Sequence, residues 1–248
     1  MSMRKTVALL VLLAPLSANA DALTDLRATL AQLGATTPVH GAFEVTSTNK
    51  SSDEEQPFQG KVSVGFEISD AGLRILYPKP TLVQANLEAR AEAMDPDHQT
   101  PARAGMGRVR ALELAELLDG AAALSTELLT AQLIDAKPTM YRGKPARLVA
   151  LKLSPKLSKG TSKRVKKVDA RLSVWLGDDG VPVAAERNFS ITASFMLMKF
   201  ESDQKENWTY TRVGDRLVVT SSDETQKSDG FGQHNVSHVV QVVRVATE

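Results

Sequence analysis

A chain of 248 residues without a single cysteine has no disulfide, no thiolate metal site and no cysteine nucleophile. Its 30 Lys and Arg stand against 29 Asp and Glu, a near-neutral balance that lacks the basic footprint of a dedicated nucleic-acid binder. Only 5% of the residues are aromatic, so a ligand would be gripped by aliphatic walls, which suit acyl chains better than nucleobases or sugars.

Residues 1–20 carry Arg4 and Lys5, then an apolar run from Val7 to Leu16, then Ser17-Ala18-Asn19-Ala20. This is the pattern of a cleavable secretory signal, with cleavage expected after Ala20. The run is too short for the ~20 residues of a spanning helix. Removing Arg4 and Lys5 leaves 28 basic residues against 29 acidic ones. The expectation is an exported, periplasmic protein, soluble after cleavage and without a lipidated cysteine, forming one domain over residues 21–248.

The domain opens on an amphipathic helix marked by Leu23, Leu26, Leu30 and Leu33, with Gly34 at the place of a C-terminal glycine. Strands follow where apolar and polar residues alternate: 39–48 with Phe43 and Val45, 61–68 with Val64 and Phe66, and Leu73 to Tyr77 after the turn at Asp70-Ala71-Gly72. From 81 to about 129 the spacing becomes helical, with one helix over 81–94, a second over 108–118 and a third over 121–129. Pro96, Pro101, Gly105 and Gly107 mark 95–107 as a break and a hinge.

Strands then return. The stretch 168–200 reads as two long strands joined by Gly177-Asp178-Asp179-Gly180, with Phe189, Ile191 and Phe195 on one face. Beyond Met196 the second strand turns apolar on both faces. Ala131 to Asp135, Arg147 to Leu153, Trp208 to Thr211, Leu217 to Ser221 and His234 to Val245 complete nine to eleven strands.

Motifs of catalysis are missing: there is no G-x-S-x-G, H-E-x-x-H, phosphate loop or dinucleotide fingerprint. His234 and His238 would share a metal on a helix, but on a strand they stand ~13 Å apart. No catalytic residue, metal or cofactor is therefore expected. The basic run Lys156, Lys159, Lys163, Arg164, Lys166 and Lys167 reads as a solvated loop, or as a patch for a partner or anionic lipid headgroups, where each charge is worth ~1 kcal/mol.

The signal sequence, the leucine-striped helix, the strand Val39-His40-Gly41-Ala42-Phe43-Glu44-Val45, the helical insert, and Leu172 to Val183 with its Gly177-Asp178-Asp179-Gly180 turn together resemble the periplasmic lipoprotein-carrier (LolA/LolB-like) superfamily. The resemblance implies an α+β fold in which a strongly curved antiparallel sheet, an incomplete β-barrel, has its concave face covered by the N-terminal helix and the insert. It also implies binding of lipid or the acyl chains of a lipoprotein. The apolar residues expected to line such a site are Phe43, Val45, Val64, Phe66, Leu82, Leu87, Met94, Met106, Leu112, Phe189, Ile191 and Phe195. The competing expectation is a periplasmic protein-interaction or sensor module with a filled half-barrel core and an envelope protein as partner. Neither involves nucleic acid.

Overall fold

The computed structural model describes residues 22–53, 56–157, 162, 164–195, 198–230 and 232–246. The expected signal sequence, Lys159, Lys163, Met196 and Leu197 lie outside the described residues. In chain order the elements are α1 (Ala22–Ala31), β1 (Val39–Ser51), β2 (Phe58–Ser69), β3 (Gly72–Leu76), α2 (Lys79–Met94), α3 (Pro101–Gly107), α4 (Ala111–Leu118) and α5 (Gly120–Glu127). The seven remaining strands are β4 (Gln132–Tyr141), β5 (Lys144–Lys152), β6 (Val165–Leu176), β7 (Pro182–Phe195), β8 (Met198–Val213), β9 (Arg216–Gly230) and β10 (Gln233–Val245).

All ten strands form one open antiparallel sheet in the order β3-β2-β1-β10-β9-β8-β7-β6-β5-β4. Consecutive strands are neighbours in the sheet except β3 and β4, which lie at opposite edges, and β10 returns to pair with β1, for example Phe43 opposite Val243. The two edges are β3 and β4, and the helical insert is the chain that connects them.

One face of the sheet, here the inner face, is covered by helices. Alternation places Phe43 and Val45 of β1, Val64 and Phe66 of β2, Val149 and Leu151 of β5, and Leu172 and Val174 of β6 on it, all fully buried. Leu26 and Leu30 of α1, Leu114 and Leu118 of α4, and Leu124 of α5 fill the space above them. The leucine stripe of the first helix thus has its expected use. Its C-terminal left-handed position is occupied by Ala35 (φ 51°) and not by the expected Gly34.

Two glycines let helices approach the sheet closely. A Cβ on Gly105 of α3 would stand 2.5 Å from the backbone of Lys61 in β2, and one on Gly120 of α5 would stand 2.9 Å from the Leu217 carbonyl of β9. Residues 95–107 are accordingly more than the expected hinge, because seven of them form α3, packed flat on β2. Its first turn is capped from a distance: the Glu88 carboxylate of α2, itself buried, accepts from the backbone N–H groups of Ala102 (3.1 Å) and Arg103 (2.9 Å).

Only part of the insert covers the sheet. The helix α2 rests on α3 and turns Leu82, Val83, Leu87 and Met94 to solvent, with Met94 89% exposed. The long second strand expected through Phe200 is divided: β7 ends at Phe195, and Met198–Phe200 begin β8, where Phe200 pairs with Gly230. Lys166 and Lys167, expected in a basic loop, belong to β6.

A polar clasp fixes the α1–β1 connection. Asp215, in the β8–β9 turn, accepts from the backbone N–H and hydroxyl of both Thr36 (2.9 and 2.6 Å) and Thr37 (2.8 and 2.6 Å), bonds that hold its carboxyl well below the ordinary range. The next residue, the buried Arg216, donates to the carbonyls of Thr37 (2.9 Å), Leu118 (3.3 Å) and Ala35. One turn thereby ties α4, β9 and the strand entry together.

Candidate functional site

The apolar inner face is interrupted at the middle of the sheet. Register puts Leu172, Arg187, Glu206, Glu224, Val239 and Ser47 in one row across β6, β7, β8, β9, β10 and β1. The adjoining rows bring Trp208 beside Ala185 and Ser222, and Gln204 beside Phe189 and Gln226. Three neighbouring strands therefore present charged and amide side chains on a face that is aliphatic on both sides of them.

Over these strands α4 and α5 leave a cavity of about 540 Å³. Its sheet wall comprises Arg187, Gln204, Glu206, Trp208, Tyr210, Val219, Glu224, Val239 and Gln241, and its helical wall includes Arg108, Arg110, Glu113, Glu116, Leu117, Leu124 and Glu127. Five glutamates thus face three arginines.

Arg187 is the junction. One guanidinium nitrogen donates to Glu127 of α5 at 2.5 Å and another to Glu206 of β8 at 2.8 Å, while the group lies 5.5 Å from the centre of the Trp208 ring. Its Nε is buried without a hydrogen-bond partner. Burial holds the Glu206 carboxyl above its ordinary range, and neighbouring Glu224 adds to that against the opposing pull of Arg187. Burial likewise raises the Tyr210 phenol. Glu224 receives a hydrogen bond from the Gln204 amide at 2.7 Å. On the far side of the Arg187–Glu127 bridge a smaller cavity of about 260 Å³ is lined by Leu153, Ala170 and Phe189.

The residues expected to line an acyl site are not gathered here. Phe43, Val45, Val64 and Phe66 are packed in the core, and Met106 lies half-buried against it. Leu82, Leu87, Met94 and Leu112 are exposed on α2 and α4. Phe189 is half-buried at the smaller cavity, and Ile191 is half-buried farther along β7. The Phe195 side chain lies outside the described residues. Lys156, Arg164, Lys166 and Lys167 are exposed near the entry to β6.

Among the described residues, no group of three or more His, Asp or Glu is placed to hold a metal ion. His234 and His238 pair separately, with Asp229 (2.5 Å) and Asp223 (3.1 Å) on the adjacent strand. No helix among the described residues is long and apolar enough to cross a membrane.

Alternation along Phe189 and Ile191 passes through Arg187 at the same parity, a charge on the apolar side of a strand. That is the sequence signal for this cavity. Glu206 and Gln204 share the parity of Trp208 in the same way.

No family model matches the sequence, and no curated protein matches it. The chain is similar to a solved structure described as MucB in complex with MucA(peri), at 9% identity over 90% of this chain and 94% of that one, with a TM-score of 0.20. A likeness of that size fixes neither fold nor partner.

Proposed function

We propose that the protein is an exported, non-catalytic interaction module that binds a polypeptide of the envelope along α2. The observation that carries this reading is the state of that helix. Sixteen residues long, it buries a single side chain, Glu88, and leaves Leu82, Val83, Leu87 and Met94 exposed. Isolated helices are marginal in water, and helices usually gain stability by packing an apolar face. Val83, Leu87 and Met94, at spacings of four and seven and interrupted by Arg90, form a narrow apolar strip that nothing among the described residues covers. An amphipathic helical segment of a partner, with apolar anchors at the same spacings, is the chemistry that matches it.

The alternative, a carrier of lipid or lipoprotein acyl chains, calls for an apolar cavity. Most of the inner-face residues that would form one are packed against each other and against α1, α4 and α5, and the space left beneath α4 and α5 sets five glutamates and three arginines beside its apolar wall. Carrying a photo-reactive residue at Leu87, the protein in its own envelope should give a discrete protein adduct that disappears when Met94→Asp is added. A control position at Asp70 should give none. Adducts to lipid alone would favour the carrier, and no specific adduct at Leu87 would remove α2 as the recognition element.

A further inference from the structure

Glu206 and Glu224 are direct cross-strand neighbours on the inner face, where side chains so placed stand ~5 Å apart at Cβ. Like charges in that position repel, and folded sheets normally put a cation between them or avoid the arrangement. Three arginines, Arg108, Arg110 and Arg187, stand against the five glutamates of the cavity, and the one nearest this pair is already committed. Arg187 divides its guanidinium between Glu206 and Glu127, and among the described residues Glu224 has only the neutral amide of Gln204. On the opposite wall Arg110 is occupied by Glu113 at 3.0 Å, and Glu116 has no ion-pair partner among the described residues. The cavity between these walls therefore carries an excess of negative charge. Its volume of about 540 Å³ is that of a small-molecule site. It also has an apolar side, formed by Leu117, Leu124, Val219 and the Trp208 ring.

We propose that this cavity binds an organic cation, with an ammonium or guanidinium group received by Glu224 and Glu206 and a short apolar body lying against Leu117, Leu124 and Trp208. The cation supplies the charge that the Arg187 bridge cannot, and a body of four to six carbons displaces water from the aliphatic wall. Such a group has two sources with the same chemistry, a free aliphatic amine or a basic side chain of a polypeptide. The site lies apart from the exposed face of α2, so it stands or falls independently of the partner-binding reading.

Calorimetric titration of the whole protein at low ionic strength with n-hexylamine, with n-hexanoate and with a blocked Ala-Ala-Lys-Ala-Ala peptide tests it. Saturable uptake is expected for hexylamine or for the peptide, and none for hexanoate. Uptake of the peptide alone would identify a partner's side chain as the source, and uptake of the amine alone a free ligand. Glu224→Gln should weaken binding at least about tenfold, the usual consequence of losing a charged hydrogen-bond acceptor. The variant should melt no lower than wild type, because it removes a like-charged neighbour. Should it fail to fold, Glu116→Gln, at an exposed position, should weaken the same titration more modestly. Absence of binding by wild type, equal affinity in both variants, or hexanoate binding as well as hexylamine would overturn the proposal.

Discussion

Arg187 touches two carboxylates and an aromatic ring with one guanidinium, so its removal should cost more than a surface charge normally does. Taking one partner from a fully buried pair costs ~3–5 kcal/mol, whereas exposed pairs contribute ~0–1 kcal/mol. With a quarter of its side chain exposed, Arg187→Met should destabilise by about 2 kcal/mol in urea unfolding, and Glu127→Gln added to it should recover part of that loss. Two carboxyls shift in opposite directions and give opposite pH signatures. Glu206 holds its proton more tightly folded than unfolded, so the cost of its charge is absent below about the ordinary value of 4.5 and enters as pH rises through the raised folded value. Glu224 adds to that cost and Arg187 opposes it, in a cavity that also holds Glu113, Glu116, Glu127, Arg108 and Arg110. Thermal scans from pH 4 to 8 should therefore show Glu206→Gln gaining on wild type as pH rises. Asp215 is depressed, so its contribution is present above the ordinary value of 3.8 and is lost only as pH falls through the lower folded value. Asp215→Asn should melt below wild type at pH 6, and the gap should close only in strong acid.

At the scale of elements, α3 depends on two residues outside ordinary helix rules. Glu88 satisfies its first backbone N–H groups from another helix, and Gly105 permits contact with the Lys61 backbone. Glu88→Ala removes a cap worth ~0.5–2 kcal/mol and should raise hydrogen exchange in 101–107 before the strands are affected. Gly105→Val must push α3 off β2 and should loosen the same segment further. These residues also explain where the sequence was legible. Strands with alternating faces and helices with leucine at three- and four-residue spacing declared themselves, because periodicity records which side is buried. The helix α3 did not, since Pro101, Gly105 and Gly107 carry the composition of a break while serving as a first-turn proline and a close-approach glycine. The division between β7 and β8 was hidden by the apolar run Phe195-Met196-Leu197-Met198, which carries no turn residue. The cavity was hidden for a different reason: Arg187, Glu206 and Glu224 lie on three strands and meet only through register, although each marks its own strand as a charge on the inward parity.

Across the whole molecule, apolar side chains are divided between two environments that sequence alone does not distinguish. Phe43 is fully buried among the strands β1, β2 and β10, whereas Leu87 is 53% exposed on the outer helix, yet both belong to the same expected set of ligand-contacting residues. Their substitution separates packing from recognition. Phe43→Ala deletes a ring from a filled core and should cost ~3–5 kcal/mol. For a domain of this size each kcal/mol lowers the midpoint by ~2–4 °C, so the melting temperature should fall by roughly 10 °C. Leu87→Asp places a carboxylate where water already is, a surface change that normally stays within ~0.5 kcal/mol, and its midpoint should remain within about two degrees of wild type. If α2 is where a partner docks, the stable Leu87→Asp variant should lose partner binding, because its carboxylate must give up water in the interface. The destabilised Phe43→Ala variant should keep that binding at temperatures where it is still folded. The opposite pattern, with Leu87→Asp unfolding the chain, would mean that α2 is covered by the protein itself and is not free for a partner.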